Sequence, residues 1–229
     1  MKAVVVSRAG GPEVLEVLER ELPSIKPGWS LVKVMGFGIN HSEIFTRQGL
    51  SPSVPFPRVL GIEMVGLIEE TSDPSRLPVG QKVVSIMGEM GRAYDGGYAE
   101  YALLPNDNLY TIASDLNWRD LASVPETYYT AYGSMKNLQL EPKDRILVRA
   151  GSSGVGQAFA KLVRARFPEV RLVASVRRLD KEEKILAAGF DQVILDRDGK
   201  LETNQTFTKI VELVGPATIK DSLAHLEEG

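Results

Sequence analysis

The stretch Val148-Arg149-Ala150-Gly151-Ser152-Ser153-Gly154-Val155-Gly156-Gln157 decides the fold of this chain. The apolar segment 145–148 leads into it, and apolar residues follow at positions 155, 158, 159, 162 and 163, which is the spacing of a buried helix face. The pattern is therefore strand, glycine-rich turn and helix. In such a unit the pyrophosphate of a dinucleotide lies on the helix N-terminus, so the sequence predicts a nucleotide-dependent enzyme.

The glycines of this turn match a dinucleotide fingerprint with one departure. Gly151 and Gly156 occupy its outer positions, while the middle position holds Ser153. We expect Gly154 to preserve the close approach of the backbone to phosphate, beside Val155. The hydroxyls of Ser152 and Ser153 are expected to donate to phosphate oxygens. The alternative is a tight structural turn with no ligand.

The segments around this turn predict an α/β protein with two domains. Strand patterns at 145–148, 171–176, 192–195 and 209–214 alternate with helical patterns at about 155–166, 180–188 and 216–226, which is typical of a parallel sheet. Short strands at 2–7, 31–35, 63–69, 82–86 and 98–104, separated by Gly and Pro turns, predict a β-rich first half. We place the domains at 1–116 and 117–229, with the softest linker at 197–206. Helices are predicted to start near 117 and at Pro125, and the second of them runs through about Leu138.

Composition excludes several classes of protein and site. The chain has 229 residues, a net charge of −3, no cysteine and two histidines. There is no disulfide framework and no thiolate zinc site. The charge gives no support for nucleic-acid binding, and no apolar run approaches the ~20 residues of a membrane span. We expect a cytoplasmic protein without a signal peptide, and no metal.

The end of the second predicted strand indicates which dinucleotide is bound. An NAD site places an acid there, on the ribose hydroxyls, but positions 173–179 contain none. Arg177 and Arg178 follow the strand instead, and a guanidinium pairs well with a 2′-phosphate. With help from Ser175 and Lys181, the prediction is NADPH rather than NADH. The alternative is a solvated basic turn.

Short motifs in a fixed order resemble one family along nearly the whole chain. They are Met1-Lys2-Ala3, 10–15 (GGPEVL), 38–43 (GINHSE), 60–66 (LGIEMVG), 96–101 (GGYAEY), 130–133 (TAYG), 153–156 (SGVG) and 212–215 (ELVG). Each is weak alone, but together they resemble the medium-chain dehydrogenase/reductase superfamily. Within it, the match is to the zinc-free quinone oxidoreductase, or zeta-crystallin-like, branch.

This resemblance implies a GroES-like catalytic domain, a Rossmann domain, and hydride transfer from NADPH to a quinone, enone or similar carbonyl acceptor. It places Asn40, Thr127 and Thr130 near the nicotinamide, and Asn40 and Thr130 are the candidates for a catalytic role. The alternatives are an Asx turn for Asn40 and helix-face packing for the threonines. Val214 and Gly215, after the fourth parallel strand, are expected to offer backbone contacts to the nicotinamide.

The resemblance also predicts that no catalytic zinc is bound. Zinc-dependent relatives have a Gly-His-Glu motif that supplies a ligand, and here it reads Gly61-Ile62-Glu63. Isoleucine cannot coordinate a metal. We expect Glu63 to be a buried, hydrogen-bonded structural acid rather than a base.

Four parallel strands are recognisable, whereas a complete doubly wound fold has six. We therefore expect a C-terminally truncated member of the family, without the segment that usually forms the subunit interface, so that a homodimer is left open. The alternative function is a non-catalytic NADPH-binding or interaction fragment of such a reductase.

Overall fold

Two units make up the fold in the computed structural model, which describes residues 1–228. The first unit is Met1–Glu126, and the second begins at Thr127. The boundary falls after residue 126 rather than after 116, because Leu121 and Ala122 pack against Val65 of the first unit.

The first unit is built from short antiparallel strands. Its elements are β1 Lys2–Val6, β2 Leu15–Glu19, β3 Trp29–Gly36, α1 His41–Arg47, β4 Arg58–Val59, β5 Glu63–Thr71, β6 Lys82–Ile86, β7 Tyr101–Pro105, β8 Tyr110–Thr111 and α2 Trp118–Ala122. The strands form a sheet of order β2-β1-β4 and a second of order β7-β3-β5-β6-β8. One apolar cluster packs on β1 and another on β3, β5 and β6. This confirms the predicted β-rich first half.

Helix α3 crosses the boundary and leads into a parallel sheet. The remaining elements are α3 Pro125–Leu138, β9 Arg145–Val148, α4 Gly154–Arg166, β10 Arg171–Val176, α5 Glu182–Ala187, β11 Gln192–Arg197, β12 Lys200–Leu201, β13 Lys209–Val211 and α6 Ile219–Ala224. The sheet has the order β12-β11-β10-β9-β13, and only β12 runs antiparallel to its neighbour. The predicted α/β class is confirmed.

The core of the second unit lies on both faces of this sheet. Ile146 and Val148 of β9 pack with α4 on one face, while Leu147 packs with Phe207 on the other. Burial on both faces explains why these strands are continuous apolar runs rather than alternating ones.

The order of the strands reverses at β9. The chain proceeds from β9 through β10 to β11 and then returns to place β13 on the other side of β9. In open α/β sheets, ligands bind at the carboxyl ends of the strands beside such a reversal. The glycine-rich turn follows β9 and the 212–218 loop follows β13, so both lie at this position.

Several predicted boundaries were wrong for local reasons. The segment 197–206 is not a linker, because Asp198 and Gly199, both with positive φ, form the tight turn between β11 and β12. The predicted strand 98–104 is Tyr101–Pro105. The strand after 209 ends at Val211 and the last helix begins only at Ile219, since Glu212 organises the loop between them.

Candidate cofactor site and buried carboxylate cluster

The glycine-rich turn forms the predicted junction of strand, turn and helix. Strand β9 ends at Val148, and α4 begins at Gly154 with Ser153 as its N-cap. The Ser153 Oγ accepts the Gly156 N–H at 3.1 Å, which leaves the hydroxyl hydrogen available as a donor. Val155 packs its side chain against the core, so its backbone N–H, in the first turn of the helix, is the group that can serve a ligand.

Close packing holds the turn against β10. A Cβ on Gly151 would lie 2.5 Å from the Ala174 Cβ, so no side chain fits there. The Gly151 N–H donates to the Ser175 carbonyl at 3.0 Å, and the Ala150 N–H donates to the Ser175 Oγ at 3.3 Å. Ser175 is 0% exposed, which corrects the expectation that it assists at the 2′-phosphate. Its hydroxyl instead stabilises the turn by accepting the Ala150 N–H.

Space is open above the N-terminus of α4. A Cβ on Gly154 would meet only Thr127, with Cγ2 at an ordinary 3.6 Å. Packing within the protein therefore does not require glycine at 154, in contrast to 151. Thr127, which is half-buried on α3, is thereby placed beside the start of α4. Such an exposed helix N-terminus favours an anionic group.

The predicted basic residues line one cavity together with the turn. The cavity has a volume of about 450 Å³ and is bounded by Ser152, Val176, Arg177, Arg178, Asp180, Lys181 and Ile185. Arg178 pairs with Asp180 at 3.1 Å. In the part of the chain that the structure describes, Arg177 is exposed and makes no salt bridge. The sequence analysis did not identify Asp180, which lies two residues after Arg178.

The 212–218 loop is organised by a single carboxylate. The Glu212 Oε1 accepts the N–H groups of Val214 and Gly215 at 2.8 and 3.1 Å, and the Thr218 hydroxyl at 2.9 Å. Burial raises the pKa of Glu212, but these hydrogen bonds and one from Ser222 outweigh it, so the pKa lies below its ordinary value. The two backbone donors already have a partner, and the Gly215 carbonyl accepts the Thr218 N–H at 3.0 Å and the Ile219 N–H at 3.1 Å. This leaves the Val214 carbonyl as the group for a ligand.

In the first unit, Asn40 lies at the start of α1 and is held by two acids. Its backbone N–H donates to the Glu43 Oε2 at 2.7 Å, as in a capping box, and its side-chain Nδ2 donates to the Glu63 Oε1 at 2.8 Å. The Glu126 N–H donates to the other oxygen of Glu63 at 2.9 Å. Asn40 is thus a helix cap with a fixed amide. Glu63 is 2% exposed, so its predicted burial and hydrogen bonding are confirmed.

Glu43 forms the second half of this carboxylate cluster. It is 4% exposed, accepts the Ile62 N–H at 2.8 Å and is hydrogen-bonded by the Tyr98 hydroxyl. Burial raises the pKa of both Glu43 and Glu63 above the ordinary range, against the hydrogen bonds that each accepts. Burial and the adjacent Glu43 also raise the pKa of Tyr98. The sequence did not single out Glu43 or Tyr98, although Asn40-x-x-Glu43 has the capping-box spacing.

The remaining predicted residues are placed as follows. Thr130 lies on α3, half-buried, and its carbonyl accepts the Ser134 hydroxyl at 2.9 Å. His41 is exposed, with its ring edge-on to Phe45. Ile62, in the motif where the resemblance implies a histidine for zinc-dependent relatives, is buried. Within residues 1–228, no group of three or more His, Cys, Asp or Glu side chains is arranged to hold a metal ion.

Comparison with known proteins places this arrangement in a family. The alcohol dehydrogenase GroES-like domain matches residues 26–114. Human quinone oxidoreductase is 27% identical over 240 residues, an alignment that spans 100% of this chain and 71% of the relative. The chain belongs to the medium-chain dehydrogenase/reductase superfamily, in its quinone oxidoreductase-like branch.

Solved structures of this superfamily have the same fold. An NAD-dependent alcohol dehydrogenase superposes with a TM-score of 0.87 at 26% identity, covering 99% of this chain and 74% of that one. A mycobacterial protein in complex with NADPH superposes with a TM-score of 0.83 at 26% identity, covering 99% and 71%. As a medium-chain dehydrogenase/reductase, the chain is of an oxidoreductase type, and these relatives support a nicotinamide cofactor. No helix in the described residues is long and apolar enough to cross a membrane.

Proposed function

We propose that this chain is an NADPH-dependent, zinc-independent oxidoreductase that reduces a quinone, enone or similar conjugated carbonyl acceptor. One observation carries the proposal: Ser152 of the glycine-rich turn shares a cavity with Arg177, Arg178 and Lys181. The turn suits a pyrophosphate, and the cations suit an additional phosphate at the ribose.

The residues of the second unit fit this cofactor. The exposed Gly154 leaves room at the N-terminus of α4, and the Ser152 and Ser153 hydroxyls can donate to phosphate oxygens. Arg177 makes no salt bridge in residues 1–228, so its guanidinium is available for a phosphate, whereas Arg178 is already paired with Asp180. Asp180 is the one acid in the cavity, and this pairing offsets its charge.

NADPH supplies the hydride when it is bound. The protein itself binds and orients the cofactor, and the proposed contacts near the nicotinamide are Asn40, Thr127, Thr130 and the Val214 carbonyl. Glu63 holds the Asn40 amide in one orientation through the 2.8 Å hydrogen bond. Ile62 offers no metal ligand, and a conjugated acceptor is electrophilic without a Lewis acid.

The relatives support the proposed class of acceptor, but they do not distinguish NADPH from NADH. Quinone oxidoreductases align over the whole of this chain, which favours a quinone or a similar small molecule. One similar structure is described as NAD-dependent and another was solved with NADPH. The preference for NADPH therefore rests on Arg177 and on the absence of an acid at 173–179.

Turnover separates this function from the second candidate, an NADPH-binding fragment without catalysis. The purified chain is mixed with NADPH and an ortho-quinone, and absorbance at 340 nm is followed. We expect oxidation that depends on both the chain and the quinone. Binding of NADPH with no turnover would favour the fragment. Absence of binding would overturn both functions.

The same assay tests the choice of cofactor through Arg177→Ala. Loss of a charge-assisted hydrogen bond to phosphate costs about 1.5–3 kcal/mol, so the preference for NADPH over NADH in kcat/KM is expected to fall about ten-fold or more. NADH kinetics are expected to change little, because NADH lacks the 2′-phosphate.

Lys143→Ala is the matched control for this variant. Lys143 is an exposed cation of the same unit that lies before the amino end of β9, away from the cavity, and its removal changes the net charge by the same amount. We expect its cofactor preference to equal that of the wild type. If Arg177→Ala and Lys143→Ala give the same preference, the assignment of Arg177 to the 2′-phosphate is wrong.

A further inference from the structure

A fully buried arginine lies directly before the glycine-rich turn. Arg149 is 0% exposed and follows the last residue of β9. Its Nη1 donates to the Asp221 Oδ2 at 2.7 Å, and its Nη2 donates to the Asp196 Oδ2 at 2.7 Å and to the Gly199 carbonyl at 3.1 Å. One guanidinium therefore binds two carboxylates and a backbone carbonyl.

These partners come from three different parts of the second unit. Asp196 lies in β11, Gly199 in the turn between β11 and β12, and Asp221 in α6. The Asp221 Oδ2 also accepts the Leu201 N–H at 3.1 Å, which adds β12 to the network. The Arg149 side chain thus connects the β11–β12 hairpin and α6 to the start of the glycine-rich turn, which follows at Ala150.

The backbone on the other side of Arg149 is held in an unusual conformation. Ala150, the next residue, has φ +57°, which a residue with a side chain adopts only when its surroundings impose it. The Arg149 N–H donates to the Val211 carbonyl at 2.9 Å, and Ser175 binds the next two N–H groups. The buried side chain of Arg149 is one of the anchors that fix where the turn begins.

Stability alone does not account for this network. A buried ion pair often contributes no more than well-packed apolar residues of the same size, but it fixes one geometry. The Arg149 Nε is buried and has no hydrogen-bond partner among residues 1–228, so the arrangement leaves a donor unsatisfied. The network therefore serves to fix the positions of the β11–β12 hairpin, α6 and the glycine-rich turn.

We propose that Arg149 is a positioning residue for the cofactor turn, and that it couples NADPH binding at the turn to the β11–β12 hairpin and α6. This inference rests on the proposed function, because it presumes that NADPH binds at the turn. Arg149 does not line the cavity beside Ser152, so it acts through the backbone of 150–151 rather than by contact with the cofactor.

The test compares two matched aspartates in the full chain. Asp221→Asn removes a carboxylate whose Oδ2 accepts an arginine N–H and a strand N–H, from Arg149 and Leu201. Asp191→Asn removes one with the same two types of donor, Arg164 at 2.5 Å and the Leu172 N–H at 2.7 Å. Asp191 lies at the amino ends of β10 and β11, away from the turn.

NADPH dissociation constants and melting temperatures are measured for both variants. If the network positions the turn, Asp221→Asn weakens NADPH binding by roughly two- to thirty-fold relative to Asp191→Asn. This loss of affinity is expected even if the two variants have the same melting temperature. Hydrogen exchange gives the second readout: NADPH slows exchange in residues 219–224 of the wild type, and this effect is reduced in Asp221→Asn.

Two results would overturn the inference while the proposed function stands. One is equal NADPH affinity in the two variants, which would make the network a stabilising feature only. The other is NADPH binding by the wild type with no change of exchange in 219–224. If the wild type binds no NADPH, the proposed function fails first and the inference fails with it.

Discussion

Two opposing effects act on the buried carboxyl group of Glu63. Each of its oxygens accepts one N–H donor, from Asn40 and from the Glu126 backbone, an arrangement that suits the ionised form. Burial opposes ionisation and is the larger effect, so the pKa is raised. A Cβ on Gly38 would lie 2.0 Å from the Glu63 Oε1, so glycine at 38 makes room for this carboxyl.

The raised pKa of Glu63 predicts that its contribution to the stability of the folded state depends on pH. Because the folded pKa lies above the ordinary value of 4.5, the native state binds the proton more tightly than the unfolded state. Its contribution to stability is then greatest below pH 4.5 and is lost as the pH rises through the folded pKa. Each unit of the increase corresponds to about 1.4 kcal/mol.

Glu63→Gln is expected to remove this dependence, because the amide has the same shape and does not ionise. The free energy of unfolding of the wild type, minus that of Glu63→Gln, should therefore fall as the pH is raised from 4 to 8 in urea titrations. Glu69→Gln, at an exposed position on the same strand, should show a flat difference. A difference that grows in favour of the wild type above pH 6 would mean that the two N–H donors outweigh burial.

The glycines of the turn after β9 have separable roles. Gly156 is required by packing, because a Cβ there would lie 2.9 Å from the Ala150 oxygen and from Gly151 backbone atoms. Gly154 is not, since its Cβ would meet only Thr127 at 3.6 Å. If the cofactor lies on the N-terminus of α4, glycine at 154 serves the ligand.

Alanine substitutions should separate folding from binding. Gly156→Ala is expected to destabilise the chain by about 1–3 kcal/mol, because backbone must move. Gly154→Ala is expected to keep the melting temperature and to weaken NADPH binding. Gly133→Ala on α3, where nothing lies within 4 Å of the added Cβ, is expected to stabilise by up to ~1 kcal/mol. Thermal melting and NADPH titration check all three, and unchanged binding in Gly154→Ala would contradict a phosphate at that position.

The elements that the sequence predicts well are those whose signals are local. The helix at Pro125–Leu138 and the strands β6 and β9 have the bounds that the pattern indicated, because apolar periodicity and breakers mark their ends. Helix α1 was missed, since its seven residues have little apolar periodicity, although Asn40-x-x-Glu43 marks its start. The Asp198-Gly199 turn was missed because its flanking segments are polar.

The buried polar networks were beyond prediction from the sequence. Arg149 binds Asp196 and Asp221, which lie 47 and 72 positions further along the chain, and Tyr98 binds Glu43 across 55 positions. Nothing near these residues in the sequence indicates such partners. The cavity at Arg177 could be predicted in part, because parallel strands bring their carboxyl ends to one edge of the sheet.

The proposed contacts between the protein and the phosphates of the cofactor all belong to the second unit. They extend from Ser152 to Lys181, between β9 and the start of α5. A ligand that binds the native state alone stabilises it by about 2.7 kcal/mol at a concentration of 100 times its dissociation constant. NADPH should therefore suppress the openings that expose β9 and β10.

Native-state hydrogen exchange measures this stabilisation by segment. With NADPH at 100 times its dissociation constant, amides of β9 and β10 that exchange through unfolding are expected to slow about 100-fold, and those of β3 and β5 in the first unit to slow less. Arg177→Ala at the same NADPH concentration should slow exchange only about ten-fold, because about ten-fold weaker binding leaves NADPH at about ten times its dissociation constant. Slowing confined to β3 and β5, or none in either unit, would contradict a phosphate site on the turn after β9.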